Sequence, residues 1–348
     1  CEHLACGHSA NPLSLTSALG ALLSMSHIRI AVIGAQQLDS DHHLALNTLS
    51  ENGRVQAFAL DIACDDSGFA TLRSAMQNEA LDAIIIADAQ EHVRPWIEAA
   101  LSGPWPVYST HAVPLTVEDM IEIRRSEQIT AGSQVQFGFT ARHHESVATA
   151  LTKVGTGEYG QLLTMRAVCG IADSHRGESL MLGAGAQMID IMQAFAGPFQ
   201  DISGFADLDR NVQVGSESNV FATLRTHAGT LASLHVSTTQ WRQTFRLELG
   251  YERGYLWLEG LNVQEYGFGE EALISARSDG ANPRHETVDR FDASNGALVA
   301  LSAFLARVSD PSAPRLGDSQ QAFDTISTAH RILAADPILE PLQERHVS

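Results

Sequence analysis

Basic residues are scarce in this chain of 348 residues: 22 Lys and Arg stand against 41 Asp and Glu, for a formal net charge of -19 at pH 7. No basic stripe offsets that balance, which argues against bare nucleic acid or an anionic membrane as partner. Cysteine is scarce too. Cys1, Cys6, Cys64 and Cys169 are too few and too scattered for a disulfide framework, so a reducing, cytoplasmic setting is expected. No run of about 18 apolar residues is present to span a bilayer. What remains is a chain with 44% hydrophobic residues, long enough for about two domains with cores of their own.

Lys and Arg are absent from the first 24 residues, "CEHLACGHSANPLSLTSALGALLS", which lead into Met25. Without a basic n-region this stretch does not read as a secretory signal. It reads as a leader, tag or upstream extension, and residues 1–26 are set apart from the fold. Cys1, His3, Cys6 and His8 have zinc-ligand chemistry, but one such cluster on a tail is usually fortuitous, and no metal is expected.

From Ile28 the chain alternates strand-like and helix-like segments. "IRIAVIG", "VQAFALDI", "LDAIIIAD", "PVYST" and "QVQFGFT" read as strands. Between them "SDHHLALNTLSEN", "DSGFATLRSAMQN", "HVRPWIEAALSG" and "TVEDMIEIRRSEQ" read as helices, the first capped by Ser40 or Asp41. Such alternation predicts a Rossmann-like, doubly wound parallel sheet over residues 27–140. Beyond it, strand-like runs such as "QLLTMRAVCGI", "SNVFATLRTH" and "GTLASLHVSTTQ" follow one another without helices. They predict a second, mostly antiparallel open-sheet α+β domain over 141–348, crossed by the helix "AGAQMIDIMQAFAG" and closed by "DSQQAFDTISTAHRILAA".

In this order the segments resemble the Gfo/Idh/MocA family of glucose-fructose oxidoreductases and inositol dehydrogenases, over roughly residues 28–340. "IRIAVIGA", "DAIIIADAQEH", "LTVEDM", "VQFGFTAR" and "GTGEYGQLLTMRA" carry the resemblance. It implies an NAD(P)-dependent oxidoreductase moving hydride between nicotinamide and a secondary alcohol of a sugar or polyol held between the domains. It also implies a homodimer or larger homo-oligomer joined through the open sheet.

The dinucleotide fingerprint is altered. In G-x-G-x-x-G the first glycine makes the turn, the second admits the pyrophosphate and the third lets helix and strand pack closely. Here Gly34 keeps the first place, and Gln36 and Asp39 hold the other two. A carboxylate at Asp39 is expected to repel a diphosphate and to offset the field of the helix N-terminus. Asp61, at the end of the second strand, is placed to accept from ribose hydroxyls, which favours NAD over NADP; an Asp after a strand is equally a turn residue. His42 and His92 are cleft-lining candidates, His92 counted with Gly34, Gln36 and Asp61 on the cofactor side.

Catalytic places are altered as well. Aligned on "LTVED", the lysine that the resemblance implies becomes His111 and the proline Ala112. Aligned on "IDIMQAFAG", the implied histidine becomes Gln187 and the aspartate Gly183, while Asp190 is kept. His111 has the chemistry of a base that takes a hydroxyl proton near neutral pH, and Gln187 that of a substrate hydrogen-bonder. Arg142 follows the crossover strand, and His175 and Arg176 lie in "ADSHRGES" before the helix, so these three join Asp190 as candidate substrate contacts. Trp241 is expected in sheet packing or a subunit contact rather than as a sugar platform. Two functions stay open: the oxidoreductase, and a non-catalytic relative that uses the cleft for sensing or as a scaffold.

Overall fold

A computed structural model describes residues 27–87, 92–110, 115–130, 134–171, 179–208, 217–261, 270–278, 285–292, 295–313 and 316–336. The leader and the potential zinc ligands within it lie outside these residues.

Five parallel strands form the first sheet in the order β2-β1-β3-β4-β5. They are β1 (Ile28–Ile33), β2 (Val55–Leu60), β3 (Ala83–Ile86), β4 (Val107–Ser109) and β5 (Val135–Phe137). Helices α1 (Ser40–Glu51), α2 (Asp66–Asn78), α3 (Val93–Leu101) and α4 (Val117–Ile129) return the chain between them, as parallel pairing requires. β3 is buried at every position, which explains its unbroken Ala-Ile-Ile-Ile run. Pro95 sits in the first turn of α3, where no helical hydrogen bond is lost. α4 starts on a capping box in which Thr116 and Asp119 satisfy each other's backbone donors.

The second sheet has eight strands in the order β13-β12-β11-β10-β6-β9-β8-β7. These are β6 (Leu162–Gly170), β7 (Phe199–Leu208), β8 (Glu217–Thr226), β9 (Leu231–Ser237), β10 (Thr244–Tyr251), β11 (Gly254–Glu259), β12 (Glu271–Arg277) and β13 (His285–Phe291). It is antiparallel except where β6 and β9 run side by side. α5 (Glu145–Gly155) leads into it, and α6 (Ala186–Ala196) packs with α8 (Ser319–Ala334) against it. The two-sheet architecture agrees with expectation.

One helix was not legible in the sequence. α7 (Gly296–Ser309) is buried along most of its length, and Ala297, Ala300, Leu301, Phe304 and Leu305 complete the core formed by β1, β3, α1 and Tyr108. An all-round apolar helix has no polar face to give it a period. Although late in the chain, it covers the first sheet.

Candidate functional site

In a doubly wound sheet, ligands bind outside the carboxyl ends of the strands where the winding reverses. Here that point lies between β1 and β3, which pair directly, Ile33 opposite Ile86. Gly34 follows β1 with φ 71°, a left-handed turn that a side chain disfavours. Ile33 also pairs with Leu60, so Gly34 and Asp61 leave neighbouring strands at the same level. Asp61 and Gln36 are both exposed there. His92 stands exposed at the N-cap of α3.

Asp39, not Ser40 or Asp41, caps α1, and this corrects the sequence expectation. Its carboxylate accepts from the backbone N–H of His42 at 2.7 Å and also lies 2.7 Å from His42 Nδ1. His42 is 2% exposed, and its Nε2 is 3.1 Å from the Tyr108 hydroxyl. Burial pushes the Tyr108 phenol well up, and the Asp39 charge adds to the effect, so Tyr108 keeps its proton. Beside a carboxylate, His42 Nδ1 carries the proton and donates to Asp39, while Nε2 and the hydroxyl share a hydrogen bond. His42 is therefore a buried link between α1 and β4, and not a lining residue of the cleft.

Three candidate substrate contacts are engaged by the protein itself. Arg142 grips Asp190 with two nitrogens, Nε at 2.5 Å and Nη2 on the other oxygen, while Nη1 donates to Gln321 Oε1 at 2.6 Å. The Asp190 side chain is fully buried and that of Arg142 is 9% exposed. Burial raises the Asp190 pKa, and Arg142 opposes that rise. Gln187 spends both ends on the crossover chain: Oε1 accepts from Ala141 N–H at 3.2 Å and Nε2 donates to Gly138 O at 3.3 Å. Gly183 falls within a π-helical turn, Met181–Gly185, that leads into α6; such turns are frequent at functional sites.

Side by side, these bonds fasten the start of α6 to residues 138–142, just past the carboxyl end of β5. Gly138 also binds back to β4 through its N–H to Ser109 O at 2.8 Å. Along this rim the helix packed on the second sheet is joined to the chain leaving the first. His111, His175 and Arg176 lie outside the described residues.

Beneath the rim is a group that the sequence reading passed over. His143 is 5% exposed and its Nε2 has no hydrogen-bond partner. Burial, with Arg142 and His144 nearby, lowers its pKa to about 3. Nothing in the sequence separates it from its neighbour His144, whose Nδ1 lies 2.8 Å from Glu271.

No family model matches the chain. In sequence it is similar to inositol 2-dehydrogenase of Corynebacterium glutamicum, 22% identical over 183 residues, covering 49% of this chain and 54% of that protein. The inositol 2-dehydrogenase of Leifsonia xyli subsp. xyli is 24% identical over 182 residues, with the same coverage of 49% and 54%. The chain therefore spans about half the length of the curated relatives it matches. Among solved structures it resembles a mutant of KijD10, a 3-ketoreductase from Actinomadura kijaniata in complex with TDP-benzene and NADP (TM-score 0.68, 18% identity, 89% of this chain and 98% of that one). It also resembles a levoglucosan dehydrogenase complexed with NADH and levoglucosan (TM-score 0.72, 12% identity, 89% and 97%). These similarities in sequence and in fold bear out the resemblance to the Gfo/Idh/MocA family.

Proposed function

We propose that this protein is an oxidoreductase of sugars or polyols, of the kind its relatives represent, in which nicotinamide dinucleotide binds weakly and as NAD. The observation that carries the reading is the reversal of winding between β1 and β3, with Gly34 in its left-handed turn and Asp61 level with it on the next strand. Asp61 is exposed and free in geometry to meet ribose hydroxyls.

The residues do not fit a diphosphate seated in the usual way on the first helix. The backbone N–H of His42 is already taken by a carboxylate at 2.7 Å, and that carboxylate is tied to a buried imidazole. Two phosphates would meet a negative charge in place of a free N-terminus. His111 supplies a base for the hydroxyl proton, and His175 and Arg176 supply polar contacts to the ligand. Gln187, Arg142 and Asp190 support the rim from behind.

A second reading, a cleft that binds its ligand without chemistry, is favoured by the same Asp39 geometry. Titrating the protein with NADH and NADPH, followed by assays on a panel of sugars and polyols, separates them. Weak NADH binding with turnover supports the oxidoreductase; polyol binding with neither cofactor binding nor turnover supports the second. We further propose a homodimer or larger homo-oligomer through the eight-stranded sheet, which exposes Phe205, Phe221, Leu231 and Leu163. Among the described residues no helix is long and apolar enough to cross a membrane.

A further inference from the structure

Trp241 is exposed at 103% of its reference area, whereas Trp96 is fully buried and Trp257 lies under the Arg246 guanidinium, 4.6 Å from its ring centroid. Of the two expectations for Trp241, packing on its own sheet is overturned, and a subunit contact stays open. A large indole left in water forgoes the gain of burying its apolar face. Its place in the fold says what would cover it.

Trp241 lies in the connection from β9 to β10. These strands flank β6 on its two sides, Ser237 and Thr244 both pairing with Gly170. The connection therefore arches over the carboxyl end of β6. Gly170 makes room for it: a Cβ there would fall 2.4 Å from Gln240 Oε1. The arch is tied down before the indole, since Thr238 N–H donates to Ser218 O at 2.9 Å and Thr239 N–H to Ser237 Oγ at 3.0 Å. Thr239 Oγ1 further donates to Asn219 Oδ1 at 3.2 Å. After the indole, Thr244 Oγ1 donates to Arg242 O at 3.0 Å.

The same sheet end carries the entry to α6. Glu217, at the start of β8, accepts from Ser179 Oγ at 2.9 Å and from Met181 N–H at 3.3 Å. α6 in turn holds the crossover rim through Gln187 and Asp190. The arch thus stands on the crevice side of the second sheet, with its indole held out and hydroxyl and amide groups beside it.

We propose that Trp241 is the stacking platform for an uncharged cyclic polyol, with Thr239 and Gln240 reaching the hydroxyl edge. Such a ring has a face of C–H bonds and a rim of hydroxyls. The C–H face lies on the electron-rich indole face, and the rim needs neutral donors and acceptors, the combination of aromatic wall and few placed polar groups found in small-molecule sites. This assignment rests on the polyol part of the proposed function and is independent of the dinucleotide.

The test uses myo-inositol and D-glucose as probes on the full chain, with Trp241→Phe difference spectra isolating the Trp241 emission. Either polyol is expected to shift that emission to the blue and to protect it from acrylamide. Trp241→Ala should weaken polyol affinity, read by thermal shift, by tenfold or more, Trp241→Phe should retain most of it, and NADH affinity should be equal in all three. Protection that follows protein concentration instead of polyol would make Trp241 a contact between copies and overturn the platform. Polyol binding without a change at Trp241, or no binding of either polyol, also overturns it, while an intact NADH titration leaves the dinucleotide reading standing.

Discussion

Asp39 and His42 are joined twice, once through the His42 backbone N–H at 2.7 Å and once through its ring Nδ1 at 2.7 Å. One carboxylate therefore caps α1 and anchors a buried imidazole at the place where the dinucleotide fingerprint has a glycine. Asp39→Ser keeps a capping oxygen and removes the charge. Stability should fall by about 1–3 kcal/mol, because the buried His42 Nδ1 loses its acceptor while the cap is kept, and NADH affinity should rise by about tenfold, equivalent to about 1.4 kcal/mol. Gln36→Gly combined with it should add to the gain. Unchanged NADH affinity in a folded Asp39→Ser protein would show that no dinucleotide approaches α1.

Asp61 sets the second expectation. The extra phosphate of NADP would face its carboxylate, and like charges at close range disfavour binding. Wild type should prefer NADH to NADPH in fluorescence titrations, and Asp61→Ser should narrow or reverse the preference. Equal affinities in wild type would remove Asp61 from the ribose.

Arg142 and Asp190 form a buried ion pair. Breaking one partner of such a pair strands a charge and typically costs about 3–5 kcal/mol. Arg142→Met should therefore unfold several degrees earlier by calorimetry, with Asp190 left to take up a proton. The double variant Arg142→Met with Asp190→Leu should regain part of the loss. If Arg142→Met keeps wild-type stability while weakening polyol binding, Arg142 contacts the ligand and not the rim.

His143 makes stability depend on pH. Its folded pKa is lowered from 6.5 to about 3, so the unfolded chain binds a proton over that window and the folded chain does not. The stabilisation is present above the unfolded value and declines as pH falls from about 6.5 toward 3, by up to about 1.4 kcal/mol per pH unit. His143→Phe should flatten denaturant midpoints across pH 4–6. An undiminished slope in the variant would assign the effect to other groups.

For His111, acting as the base, oxidation should rise with pH through a histidine-like value, because only neutral imidazole accepts the hydroxyl proton. His111→Ala should lower kcat by about a hundredfold or more and leave NADH affinity nearly intact. His111→Lys should keep activity and move the profile upward. A fully active alanine variant would exclude the role.

Much of the architecture was legible from residues alone. The runs "IRIAVI" and "AIII" bounded by turns, the period of α6 and the unbroken strands after residue 160 each carry their structure locally, because burial on one or two faces dictates the pattern. Gly34 was legible for the same reason, as a turn needs it whatever surrounds it. The leading role of Asp39 was half visible: its charge was plain, its use as a cap was not.

What only the tertiary structure decided is who partners whom. Gln187, Arg142 and Asp190 read as ligand contacts in one dimension, since their chemistry is the same whether they meet a sugar or a backbone. Folding brings Asp190 to Arg142 across 48 positions and Gln187 to Gly138 across 49, and a buried charge or amide must satisfy itself with what is there. Likewise α7 carries no period to announce it, and the strand residues in its core cluster, Ile28 to Tyr108, all lie more than 180 positions earlier. Local sequence thus determined the elements, by short-range sterics and burial pattern, while long-range packing determined which polar groups are spent inside the protein and which side chains, like Trp241, are left exposed.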